Sequence, residues 1–205
     1  MCPVGPGLVC QTRPVTGIDP RVALLERVVD HFLAGGRTDK SLRTIASEIG
    51  SSHRMLIYHF ESYGGLLAAV VDEVESRQRA ALSTIALENG DLETISRRFW
   101  LKNASPELAP LVRLFFSLYA HLLENGDLER AAALVTAWLD PVVEIFVAHG
   151  APAHRARVLA RLGLAVTRGL LLDLAATGDR RAVDAAMDGY LKAIFRSGDE
   201  NRPSS

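Results

Sequence analysis

The chain has 205 residues, 48% of them hydrophobic, with a formal net charge of −1 and two cysteines. That length holds one domain or two small ones, and the apolar share can fill a sizeable core. The charge is balanced along the chain, so bulk attraction to a polyanion is excluded, and any nucleic-acid contact must come from local placement. Cys2 and Cys10 both fall in the Pro- and Gly-rich opening, where they cannot staple a core. Neither a disulfide framework nor a metal site is expected. Residues 1–18 read as a flexible arm. No charged stretch followed by a long apolar run opens the sequence, which predicts no signal peptide.

Helical spacing begins at Asp19-Pro20, a capping residue followed by a proline suited to the first helical position. The stripe Leu24, Leu25, Val28, Val29 and Phe32 follows, and Gly35-Gly36 ends it. Ser41 caps a second helix with Leu42, Ile45, Ala46 and Ile49 on one face. Gly50 supplies a turn. Ser51 or Ser52 caps a third helix in which Leu56 and Phe60 point inward. A fourth runs from about Ser62 toward Glu88, with Leu66, Val70, Val74, Arg77 and Ala81 along one face. Further helices are expected over Leu92–Asn103, from Ser105-Pro106 to Glu124, over Asp127–Ala148 with a bend at Pro141, over Ala153–Ala176 and over Asp179–Arg196. The tail, residues 198–205, is polar and expected to fray. No strand pattern and no repeat appears, so the fold class read is all-α. Arg168 and Asp173 break the apolar run Leu162–Ala176, so no membrane span is read there, and the expected compartment is the cytoplasm.

Residues 41–63 have the layout of a helix-turn-helix, in which a bracing helix supports a second helix lying in the major groove. Side chains facing base edges must be polar or small and must not be consumed by the core. Ser51, Ser52, His53, Arg54, Met55, Tyr58 and His59 meet that demand, and Arg43 lies on the exposed face of the bracing helix. Arg54 can pair bidentately with guanine or hold a phosphate. Ser52 and the helix N-terminus can donate to a phosphate. The competing reading is a plain helical hairpin inside a bundle.

The pattern IASEIG-SSHRMLIYHF followed by LLAAVV resembles the TetR family of bacterial one-component regulators, in residues Ile45, Ala46, Ile49, Gly50, Phe60, Leu66 and Leu67. The detailed likeness covers about residues 21–75. The stretch RGLLLDLAATGDRRAVDAAMDGYL looks like the family's C-terminal half. The resemblance implies a three-helix DNA-binding domain over 19–64, linked by the fourth helix (62–88) to a helical effector-binding and dimerisation domain over 65–197. It places Arg43, Ser52, His53, Arg54, Met55 and His59 at positions that contact DNA in relatives. Three departures stand out. Ile57 occupies the place of a phosphate-binding Tyr, whose contact Tyr58 could take over, and Tyr63 occupies that of a Lys. Losing that Lys flattens the salt dependence by about one counterion per half-site. Gly64-Gly65 stands where relatives place Glu, and each Gly costs roughly 0.5–1 kcal/mol in a helix. A loosened, compliant joint and ordinary fraying are both open readings of that pair.

The six histidines show no metal-ligand spacing, and no nucleophile elbow, P-loop or dinucleotide fingerprint appears, so neither an enzyme, a cofactor nor a metal is expected. The aromatics of the middle helices are core by default, or they line a pocket between helices. Candidates for an effector pocket are Trp100, Arg113, Phe116, Tyr119, His121 and Trp138. The helix over 158–176 is apolar nearly all round, more than one face needs. With the last helix it is expected to form an intermolecular four-helix bundle through Leu162, Val166, Leu170, Val183, Met187, Tyr190 and Ile194. An internal hairpin buried by its own chain is the alternative.

The expected protein is a homodimeric, sequence-specific regulator on double-stranded DNA with a palindromic operator, repressing until a small-molecule effector releases it, with no membrane partner. Two rivals are a helix-turn-helix dimer without an effector and a small-molecule-binding helical protein that has lost DNA binding.

Overall fold

The computed structural model describes residues 19–36, 40–88 and 90–196, the Arg196 side chain excepted. The expected arm at 1–18 and tail at 198–205 fall outside the described residues. Within them every regular element is a helix, as the sequence predicts. The elements are α1 (Pro20–Leu33), α2 (Leu42–Glu48), α3 (His53–Phe60), α4 (Tyr63–Leu87), α5 (Leu92–Asn103), a 3-10 turn (Pro106–Leu108), α6 (Ala109–Glu124), α7 (Leu128–Ala148), α8 (Ala153–Thr177) and α9 (Arg180–Arg196).

Side-chain caps set the starts. Asp19 accepts from the Arg21 amide at 2.8 Å, Ser41 from Thr44 at 3.3 Å, Ser52 from Met55 at 3.2 Å and Ser62 from Gly65 at 3.0 Å. Each satisfies an amide that the first helical turn leaves without an intrahelical partner. Ser52, not Ser51, caps α3. α8 ends on Gly178 in the left-handed region, φ 70°. α7 runs through Pro141 as one element. It is also long and apolar enough to cross a membrane, with a mean hydropathy of 1.7, but its exposed side carries Asp140 and Glu144.

One core joins the two halves of the chain. Leu24, Val28 and Phe32 of α1, Ile45 of α2, Leu56 and Phe60 of α3 and Leu66 and Val70 of α4 pack in one cluster with Leu111, Leu114, Leu118 and Leu122 of α6. Trp138 of α7 packs with Leu82 and Ile95, and Trp100 of α5 packs with Val183, Met187 and Leu191 of α9. α4 does not keep the single face the spacing suggested. Arg77 and Ala81 leave the apolar stripe: Arg77 is exposed and pairs with Glu73 at 2.7 Å. The inward face of that half of the helix is Val74, Glu75, Gln78 and Leu82, because α4 there packs against α5 and α7 rather than α1 and α3.

Candidate nucleic-acid interface and inner cavity

α2 buries Ile45 and Ala46 and turns Arg43, Thr44 and Ser47 outward. The chain then reverses at Gly50, whose φ of 66° suits glycine. The Ser51 amide donates to the Ala46 carbonyl at 2.7 Å, and Arg27 of α1 donates to the Ile49 carbonyl at 3.3 Å, so the turn is fixed from both sides. α3 is eight residues long and buries Leu56 and Phe60, one helical turn apart. This leaves Ser52, His53, Arg54, Met55, Ile57 and Tyr58 exposed, Tyr58 at 77%. Arg43 and Arg54 enter no ion pair among the described residues. Lys40 is paired with Glu48, and His31 Nε2 lies 3.3 Å from the same carboxylate.

Three of the candidate residues sit differently from the rest. Ser51 is half-buried behind the turn. His59 is half-buried, its Nε2 is sealed from solvent with no hydrogen-bond partner among the described residues, and its ring meets the edge of Tyr58 at 4.9 Å. It is turned toward the protein, so the open end of α3 belongs to Tyr58. Tyr63 is half-buried against the main core as the first residue of α4. Ile57 and Thr44 are exposed on this face as well, a placement legible from their spacing to the buried Leu56 and Ile45 but absent from the candidate set above.

Between α3 and α4 the backbone is strained. Glu61 has φ 66° and ψ −46°, and the Ser62 amide donates to the Phe60 carbonyl at 2.7 Å, a γ-turn of the rare positive-φ kind. A Cβ on Gly65 would lie 2.1 Å from the Phe60 carbonyl oxygen, whereas one on Gly64 would meet nothing closer than Ser62 Oγ at 3.9 Å. Gly65 therefore allows the end of α3 to touch the start of α4. The joint is tight there, not loosened.

A cavity of about 150 Å³ lies between α4, α5, α6, α7, α8 and α9. Phe116 and Trp138 line it as expected of a pocket, but Trp100, Arg113, Tyr119 and His121 do not. Trp100 is buried against α9, its Nε1 donating to Asp184 at 2.6 Å. Arg113 and His121 lie on the exposed side of α6, with His121 beside Asn125. Tyr119 stacks on Phe115 one turn beyond the lining. The polar groups actually in the wall are Glu75, Gln78, Ser96, Asn103, Thr167, Arg168 and Tyr190. Glu75 accepts from Trp138 Nε1 and from Arg168 Nη2 at 3.4 Å. Arg168 also donates to the Leu134 carbonyl at 2.6 Å, and its guanidinium lies 4.7 Å from the centre of the Phe115 ring. Burial holds the Glu75 carboxyl above its ordinary pKa against the pull of these partners, and burial lowers that of Arg168. Burial alone raises the Tyr190 phenol. Isolated charges in apolar helix faces, Glu75 beside Val74 and Arg168 within the run from Leu162, were the signal available in the sequence.

Two of the expected subunit contacts are corrected. Val183 and Met187 are 1% and 3% exposed and pack on Trp100 of their own chain, so they cannot meet a partner. Tyr190 and Ile194 are half-buried, and Val166 and Leu170 lean on the same cluster. The apolar and small residues that α8 exposes include Val158, Leu162, Ala165, Gly169, Leu172 and Ala176, a stripe at helical spacing flanked by the exposed Arg155, Arg157, Arg161 and Asp173.

No family model and no curated protein matches the chain. Solved structures do. A TetR-family transcriptional regulator from Pectobacterium atrosepticum is 18% identical with a TM-score of 0.66, covering 86% of this chain and 92% of that one. A transcriptional regulator from Rhodococcus sp. is 17% identical with a TM-score of 0.69, covering 87% and 97%. The multidrug binding protein EbrR, complexed with imidazole, is 22% identical with a TM-score of 0.55, covering 83% and 89%. The chain has the fold of TetR-family transcriptional regulators.

Proposed function

We propose that this protein is a DNA-binding transcriptional regulator of the TetR kind, a homodimeric repressor released by a small molecule, working in the cytoplasm. The observation that carries the reading is the outward face of α3: His53, Arg54, Met55 and Tyr58 exposed around a helix whose other face is anchored by Leu56 and Phe60. In a major groove, Arg54 would read a guanine or grip a phosphate, and Met55 would touch a thymine methyl. Ser52 accepts from the Met55 amide, which leaves its own hydroxyl proton for a phosphate. Arg43 would hold a backbone phosphate from α2. No enzymatic role is part of this reading.

The exposed stripe of α8, with Ala182, Ala186 and Gly189 exposed on α9, supports a partner subunit packed there as a four-helix bundle. The cavity supports an effector. α4 supplies both Glu75 and Gln78 in the cavity wall and the first turn that touches α3, so a ligand that shifts α4 moves the reading head. It does so only by its differential affinity for the two arrangements.

The test is fluorescence anisotropy on a duplex selected from random sequence. Arg54→Ala is expected to cost about 1–3 kcal/mol of affinity, while Arg113→Ala, on the exposed side of α6, leaves it unchanged. Equal affinity for wild type and Arg54→Ala would remove Arg54 from the interface.

A further inference from the structure

We infer that the cavity is built for a neutral single-ring molecule that donates one hydrogen bond to Gln78, a phenol or a close aromatic alcohol. The inference rests on the effector reading above and names the chemistry of that site.

Size comes first. At about 150 Å³ the cavity matches the volume at which an apolar hole in a protein accepts benzene. The walls are aromatic and aliphatic, with Phe99, Phe116, Trp138 and Leu171 among them. Charge comes second. Apart from the Tyr190 phenol, Glu75 and Arg168 are the groups in the wall that can carry a charge, and they face each other at 3.4 Å. Trp138 and the Leu134 carbonyl take up further valences of the pair. An ionic ligand would lose its hydration and find no uncompensated counter-charge. A carboxylate would face Glu75, and an ammonium would face Arg168.

The third observation fixes the polar end. Gln78 lines the cavity, and its Oε1 is buried with no hydrogen-bond donor among the described residues. The oxygen has almost no accessible surface, so a rotation of the Gln78 amide that brings Oε1 to the cavity is part of binding; a buried acceptor left without a donor is costly, and a ligand hydroxyl then removes that cost. Gln78 sits one helical turn from Val74 and Glu75 on α4, so a ring bound there rests on the helix that leads to α3.

The experiment is isothermal titration calorimetry of the full chain with phenol, toluene, anisole, benzoate and benzylamine. Phenol is expected to bind about tenfold tighter than toluene or anisole, the value of one recovered hydrogen bond in a dry site. Benzoate and benzylamine are expected to give no heat where phenol saturates. In Gln78→Leu, and in Gln78→Met with its similar length, phenol loses its advantage while toluene still binds, which shows that the cavity is intact. Several results would overturn the inference: a lead by benzoate or benzylamine, equal affinity for phenol and toluene, a lead by anisole, a phenol preference that survives both variants, or no binding by any of the five. Duplex binding by the ligand-free protein is read separately. Its absence would sink the regulator reading and leave the calorimetry standing.

Discussion

Single residues at the junction of α3 and α4 set how the reading helix is held. Gly65 faces the Phe60 carbonyl, and a backbone oxygen cannot swing aside as a side-chain tip can. Gly65→Ala is expected to destabilise by about 2–3 kcal/mol through overpacking. Gly64→Ala, in open space, should stabilise by about 0.5–1 kcal/mol through helix propensity. Urea denaturation distinguishes them, and equal effects would contradict the close contact. Next to them, Glu61 holds a positive φ without being glycine. Glu61→Gly should relieve about 1 kcal/mol of strain, measurable in the same titration. From the sequence the two glycines looked alike, because a spacing pattern does not show which of them meets a carbonyl five residues back. His59 was legible as polar and near the end of α3, but its neighbours Tyr58 and Phe60 decide which way its ring turns.

At the scale of elements, the caps and apolar stripes told most of the story. Asp19, Ser41, Ser52 and Ser62 start the helices they were expected to start, and Leu24 to Phe32 face inward as their spacing required. The middle of the chain was less legible. Helical periodicity fixes which residues share a face, but not which neighbour that face meets. Trp100 and Trp138 therefore looked equivalent, yet one packs on α9 and the other closes the cavity. The Glu75–Arg168 pair, which ties α4 to α8, follows the energetics of buried charge. Glu75→Leu and Arg168→Met are each expected to cost about 3 kcal/mol by stranding the partner, and the double variant should recover most of that loss. Additive losses in a double-mutant cycle would contradict the pairing. The pH sign follows from burial. A carboxyl whose folded pKa is raised binds its proton more tightly in the folded state than in the unfolded chain. Stability from this site therefore rises as pH falls through the folded pKa toward the unfolded value, and it is lost as pH rises back through that window. Thermal melts of wild type against Glu75→Gln between pH 4 and 7 (roughly the range in which carboxyls titrate) should show that slope in the wild type and a flatter one in the variant.

For the whole molecule, the sequence points to α8 and α9 as the helices of the proposed subunit contact, but two of the residues it names there, Val183 and Met187, face inward. α9 spends Val183 and Met187 on its own chain, so the surface left for a partner is the smaller-residue stripe of α8 and the exposed alanines of α9. Leu162→Glu, in the middle of that stripe, should give a monomer by sedimentation. It should also weaken operator binding by at least about 100-fold, because two linked half-sites bind with an effective concentration that separate subunits lack. A helix-turn-helix dimer spans successive major grooves only if its recognition helices lie about 34–36 Å apart, or a multiple of that. The most direct test of the central claim, that α3 reads duplex DNA in pairs, is selection from random duplexes followed by footprinting of the winners. An inverted repeat is expected, with half-site centres about one helical turn, or a whole number of turns, apart, and lost with Arg54→Ala. Recovery of no enriched sequence, or of a single unrepeated half-site bound by a monomer, would contradict it.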